Sequence, residues 1–193
     1  MRRTKFLKAC ALVVLGSCFF VSPSHAQESN ATAETPPATP APQAACQGEE
    51  YRQLDFWVGD WDLSWTNADG TKGTGRNVIT RSDFGDCVIT ENFDGSPSMA
   101  LKGLSVSTYS RPHQLWRQTW VDSQGGYFSL YGGPQEDKTF VLTMERLNDN
   151  GPHSRMVFED ITKEGLVWRW QGKRAEIDEW VDQWVITYKR RSS

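Results

Sequence analysis

Turn-forming residues recur so often between residue 59 and residue 191 that helices of ordinary length have no room. Asp69-Gly70, Asp94-Gly95, Arg111-Pro112, Gly125-Gly126, Gly132-Gly133-Pro134 and Asn150-Gly151-Pro152 divide this part of the chain into short segments rich in β-branched and aromatic residues. Ten strands are expected, over 59–66, 75–81, 87–93, 101–110, 115–122, 127–131, 139–145, 155–161, 166–171 and 184–189. Turns this short join neighbouring strands in antiparallel order. An open sheet of about ten strands would leave two edges of unpaired backbone groups, so the expected architecture is all-β, a single antiparallel up-and-down barrel. A two-sheet sandwich is the rival. The segment 175–184, with Trp180 and Trp184 four apart and acidic residues on the other face, is the one stretch with a helical alternative.

All nine tryptophans fall within 48–193, and within each cluster they are evenly separated: Trp57, Trp61 and Trp65; Trp116 and Trp120; Trp168 and Trp170; Trp180 and Trp184. Side chains alternate along a strand, so even separation puts each cluster on one face. The rings either fill the interior or surround a cavity in it. If Trp116 and Trp120 face inward, Gln118 and Asp122 do too, while Arg117 and Thr119 face out. A polar Gln between two rings matches a small-molecule pocket, which is mostly apolar with a few orienting polar groups. Neighbouring strands offer Asn77, Glu91 and Arg169 to the same cavity. For Arg169 the choice is open, because it alternates with Trp168 and Trp170 and only one set can point inward.

The first residues bear on compartment. Arg2, Arg3, Lys5 and Lys8 precede an apolar run from Ala9 to Val21, and Ser24-His25-Ala26 offers a small-x-small cleavage site. A signal peptide over 1–26 is expected, with acylation at Cys18 in Leu15-Gly16-Ser17-Cys18 as the alternative, which would tether the protein by lipid. The apolar run is short for a membrane span and nothing later is longer, so no transmembrane segment is expected. Residues 27–47, with Thr35-Pro36-Pro37 and Pro40-Ala41-Pro42, have the composition of an extended spacer; Asn30-Ala31-Thr32 within it reads as a chance match to a glycosylation site. The folded domain is expected over 48–193.

Removing the first 26 residues takes four of the 21 Lys and Arg and none of the 24 Asp and Glu, leaving 17 positive against 24 negative charges, a net of −7. That balance argues against nucleic acid as a partner. Two cysteines remain, Cys46 and Cys87. In an oxidising compartment a lone pair is expected as a disulfide.

Leu54-Asp55-Phe56-Trp57-Val58-Gly59-Asp60-Trp61 carries a Gly-x-Trp pattern at Gly59 and Trp61 that resembles the opening strand of the lipocalin and fatty-acid-binding-protein superfamily. Together with Cys46, Gly85-Asp86-Cys87-Val88-Ile89 and Glu91, Tyr109, Trp116-Arg117-Gln118-Thr119-Trp120-Val121-Asp122, Gly125-Gly126 and Tyr188-x-Arg190, the chain resembles a family of exported bacterial lipocalin-like proteins over nearly the whole domain. The resemblance implies a calycin-type barrel and no particular activity. It also implies that Arg190 packs across Trp61 at the closed end, a structural cation–π contact. The haem-binding nitrobindin-like barrels differ: His113 and His153 each follow a proline in an expected turn, and no cofactor is expected.

The function these residues point to is that of an exported protein, periplasmic or secreted, holding a small apolar or aromatic ligand through Asn77, Glu91, Trp116, Gln118, Trp120 and Arg169. Two alternatives stand beside it. One is a barrel packed solid by its own rings and acting as an interaction module of the envelope. The other is an enzyme with Glu91 as general base, for which no nucleophile elbow, phosphate loop or metal-spaced cluster speaks.

Overall fold

A computed structural model describes residues 46–82, 86–148, 153–174 and 178–192. The leader over 1–26 with Cys18, the spacer up to residue 45 with Asn30, Gly85, and the turn at Asn150-Gly151-Pro152 lie outside the described residues.

Ten antiparallel strands close into an up-and-down barrel: β1 (Gly59–Thr66), β2 (Lys72–Arg81), β3 (Val88–Asp94), β4 (Lys102–Ser110), β5 (Leu115–Asp122), β6 (Tyr127–Pro134), β7 (Phe140–Met144), β8 (Ser154–Glu159), β9 (Gly165–Arg174) and β10 (Glu179–Arg190). Each strand pairs with the next, and β1 also pairs with β10, with Trp61 opposite Arg190 and Trp65 opposite Ile186. Closure removes both edges, which rules out the sandwich. Burial alternates along the strands as a closed wall requires: in β1 Trp61, Leu63 and Trp65 are buried while Asp62, Ser64 and Thr66 are exposed.

Two short 3-10 turns, Glu49–Arg52 and Asp55–Trp57, precede β1 and stop the end of the barrel at which it begins. Leu54 and Trp57 are fully buried there. Phe56 packs edge-on against Phe140 and Phe158, and Trp57 against Phe158. The Cys46–Cys87 disulfide ties this lead-in segment to the start of β3. Arg81 holds it a second time, donating from Nη2 to the Tyr51 carbonyl (2.9 Å) and pairing with Asp55.

At this closed end the Arg190 guanidinium lies 4.0 Å from the centre of the Trp61 ring. It also donates to the carbonyls of Val58 (3.0 Å), Phe56 (3.3 Å) and Lys163 (2.7 Å). Any side chain at Gly59 would strike this guanidinium, which gives the glycine of Gly59-x-Trp61 its physical reason.

Two sequence expectations change, and the helical alternative falls for the described part of 175–184. Residues 179–184 form the start of β10, a strand and not a helix. The pairing of β9 with β10 shifts register between Asp182 and Trp184, so Trp180 lies on the outer face with Arg155 over its ring at 4.2 Å, whereas Trp184 points inward. Even spacing fails there because the bulge inserts one residue. Gly132-Gly133-Pro134 continues β6 instead of turning: Gly132 pairs with both Trp116 and Leu142, and its missing side chain leaves room for the Val141 backbone.

Candidate functional site

Among the described residues no lead-in segment stops the other end of the barrel, and a cavity of about 270 Å³ enters there. Its wall is aromatic. Phe93 of β3, Trp120 of β5, Phe128 of β6, Trp168 and Trp170 of β9, and Trp184 of β10 line it. The rings brace one another edge-on, with centroids 5.9 Å apart for Phe93 and Trp184, 6.1 Å for Phe93 and Trp120, and 5.8 Å for Trp168 and Trp184. Neighbouring strands yield space to these rings. Gly103 of β4 lies where any side chain would collide with Trp120, and Gly73 of β2 does the same for Trp65. Large and small residues thus alternate across the wall, the pattern by which small barrels are packed.

The inner end of the cavity is polar at one point. Glu91, only 5 % exposed, accepts from Asn77 Nδ2 at Oε1 (2.7 Å) and from Ser105 Oγ at Oε2 (2.6 Å). The same Asn77 amide donates to the Tyr188 hydroxyl (3.0 Å). β2, β3 and β4 bring these groups together, since Asn77 pairs with Phe93, two residues from Glu91 on the same face, and Glu91 pairs with Ser105. Burial pushes the Glu91 carboxyl up to about 7, against the pull of the Ser105 and Asn77 hydrogen bonds. Burial and the nearby Glu91 raise the Tyr188 phenol above its ordinary value. At the mouth Asp122 accepts from Trp120 Nε1 (3.0 Å) and from the backbone amides of Gln124 (2.9 Å) and Gly126 (2.8 Å), which hold it below the usual carboxylate range.

The residues singled out from sequence divide between four places. Glu91 and Trp120 line the cavity. Asn77 lies behind Glu91 and orients it, and Gln118, 2 % exposed, donates to Ser107 Oγ (2.9 Å) one layer deeper, its own Oε1 meeting no hydrogen-bonding group. Trp116 is fully buried near the closed end, against Tyr109 and Phe140 and donating to Gln53. Arg169 is on the outside: it pairs with Glu159 and Asp182, and its neighbours Trp168 and Trp170 take the inward positions. Its assignment to the cavity is corrected accordingly.

Sequence reasoning missed Phe93, Phe128, Tyr188 and Trp57 as cavity residues. Counting by twos inward from Trp184 reaches Ile186 and then Tyr188, so Tyr188 was within reach of the alternation argument. Trp57 was not, because it sits on a 3-10 turn below the barrel, where strand alternation has no meaning. Neither histidine approaches the cavity. His113 meets Ser110 in the exposed turn after β4, and His153 packs on Trp180 outside. Among the described residues no group of three or more His, Cys, Asp or Glu is placed to hold a metal ion, and no helix is long and apolar enough to cross a membrane.

Comparison with models of protein families finds no match for the chain, and comparison with curated proteins finds none either.

Proposed function

We propose that this chain is an exported binding protein that holds a small apolar or aromatic molecule in the open end of its barrel. The observation that carries the proposal is the aromatic cavity: about 270 Å³ is left among rings that had ample bulk to fill it. That volume lies near the lower end of the ~300–1,000 Å³ common for small-molecule sites. It speaks against an interior packed solid for an interaction role. The leader-like first residues and the Cys46–Cys87 bridge support an oxidising compartment outside the cytoplasm. The Gly59, Trp61 and Arg190 arrangement supports the kinship with exported lipocalin-like proteins.

The enzyme reading draws on Glu91, since a carboxyl held near neutrality is what a general base requires. Asn77, Ser105 and Tyr188 all sit on the Glu91 side, however, and the described lining of the cavity holds no Lys, Arg or His to steady developing charge. Binding is therefore the better supported function.

Native mass spectrometry of the exported protein, followed by a denaturing run, tests it. A released small molecule, with retention lost in Trp184→Ala, is the expected result. An empty protein whose tryptophan fluorescence ignores a panel of aromatic compounds would overturn the binding reading.

A further inference from the structure

The ionisable side chains lining the cavity are Glu91, Asp122 and Tyr188, and no Lys, Arg or His is among the lining residues. Arg169, the nearest candidate from sequence, spends its charge on Glu159 and Asp182 outside the wall. An anionic amphiphile would thus enter past one carboxylate and end against another with nothing to neutralise it. Asp122 is already satisfied by three donors. Glu91 is different: it is buried, it is held by two neutral donors, and no cation among the described residues pairs with it. The ionised form of a buried carboxyl in that position is costly until a counter-charge arrives. The wall around it is built of indoles, whose π faces attract cations, most of all when water is excluded.

We propose that the cavity takes an organic ammonium ion with an apolar or aromatic body, its positive group directed to Glu91 and its body held among Trp120, Trp168 and Trp184. This rests on the binding function above and names the ligand chemistry of the same site. Glu91 is chosen over Asp122 because a charge pair strengthens as water and its screening are removed.

A pH dependence follows. Asn77 from β2, Ser105 from β4 and Tyr188 from β10 face Glu91, and of these only Tyr188 titrates, at a pH above its ordinary range. Asp122 is ionised throughout the neutral range. Affinity for a cation therefore follows the Glu91 carboxyl, rising from about pH 6 to about pH 8 and levelling beyond.

The test uses the full exported protein and three probes of equal shape: benzyltrimethylammonium, its neutral isostere neopentylbenzene, and the anion phenylmethanesulfonate. Binding is read by calorimetry and tryptophan fluorescence. The ammonium is expected to bind at least about tenfold more tightly than the neutral probe, with the sulfonate weakest and only the ammonium gaining affinity with pH. Glu91→Gln should sharply reduce the preference for the cation and abolish its rise with pH. If the neutral probe binds as well as the ammonium in the unaltered protein, the cation proposal falls and the binding function stands. If none of the three binds, both fall. The comparison on the unaltered protein decides the matter even where the Gln variant fails to fold.

Discussion

A carboxyl raised by burial leaves a signature in stability as well as in binding. The Glu91 side chain titrates at 4.5 in its unperturbed state and at about 7 in the folded barrel, with desolvation as the main cause and the Ser105 and Asn77 hydrogen bonds opposing it. Below 4.5 both folded and unfolded chains carry the proton, and its contribution is neutral. Between the two values the folded protein holds a proton that the unfolded chain has released, so stability falls as pH rises through this window and levels above about 7. Each tenfold change in proton affinity is worth about 1.4 kcal/mol, which makes the whole loss on the order of 3 kcal/mol. Glu91→Gln removes the titration. Urea unfolding at about pH 5 and about pH 8 should therefore find the Gln variant gaining on the unaltered protein by that amount; equal changes in both proteins would mean that Glu91 is not desolvated as described.

At the scale of the element, β10 shows how one inserted residue redirects a strand. Trp180 and Trp184 sit on the two sides of the wall because the register slips between Asp182 and Trp184. Trp184→Ala should weaken retention of the ligand at least tenfold, since it opens the wall of the cavity. Trp180→Ala, which releases Arg155, Lys173 and His153 on the outside, should leave binding unchanged. Equal effects in a titration followed by fluorescence would contradict the bulge. The same element marks the limit of what the sequence could tell. Strand number, direction and closure were legible, because turn residues and alternating burial are local signals that Asp94-Gly95 or Trp61-x-Leu63-x-Trp65 carry on their face. Glu91 and Trp120 were legible for that reason. A bulge has no such signal, and neither has a 3-10 turn that folds back beneath the barrel, so the outward Trp180 and the inner-end Trp57 escaped the reading. Arg169 was undecidable by alternation alone; the carboxylates of Glu159 and Asp182 on the neighbouring strands decide its side.

For the whole molecule, the Cys46–Cys87 bridge closes a segment with a sequence separation of 41 residues and fastens the lead-in turns under the barrel. In the loop-entropy account a bridge of that span stabilises by about 4 kcal/mol. Reduction, or the pair Cys46→Ser and Cys87→Ser, should lower the melting temperature by well over 5 °C for a domain of this size. An unchanged melting temperature would mean that the lead-in segment stays docked without its bridge.

The seam between β1 and β10 has a further consequence, for the time course of folding. Arg191 donates to Asp62 across 129 residues of chain, and the ladder beside it joins Trp61 to Arg190. Nine of the ten strand pairings can form as successive hairpins, but this last one needs both ends of the domain present at once. Non-local closure of this kind belongs to folds that form in milliseconds to seconds. Stopped-flow refolding followed by tryptophan fluorescence should show a phase in that range, slowed when Trp61→Phe weakens the seam; complete refolding in microseconds would exclude closure as the slow step. Until that phase is over, β1 and β10 each present a bare edge and the aromatic interior lies open between them, a species prone to pair with a second copy of itself.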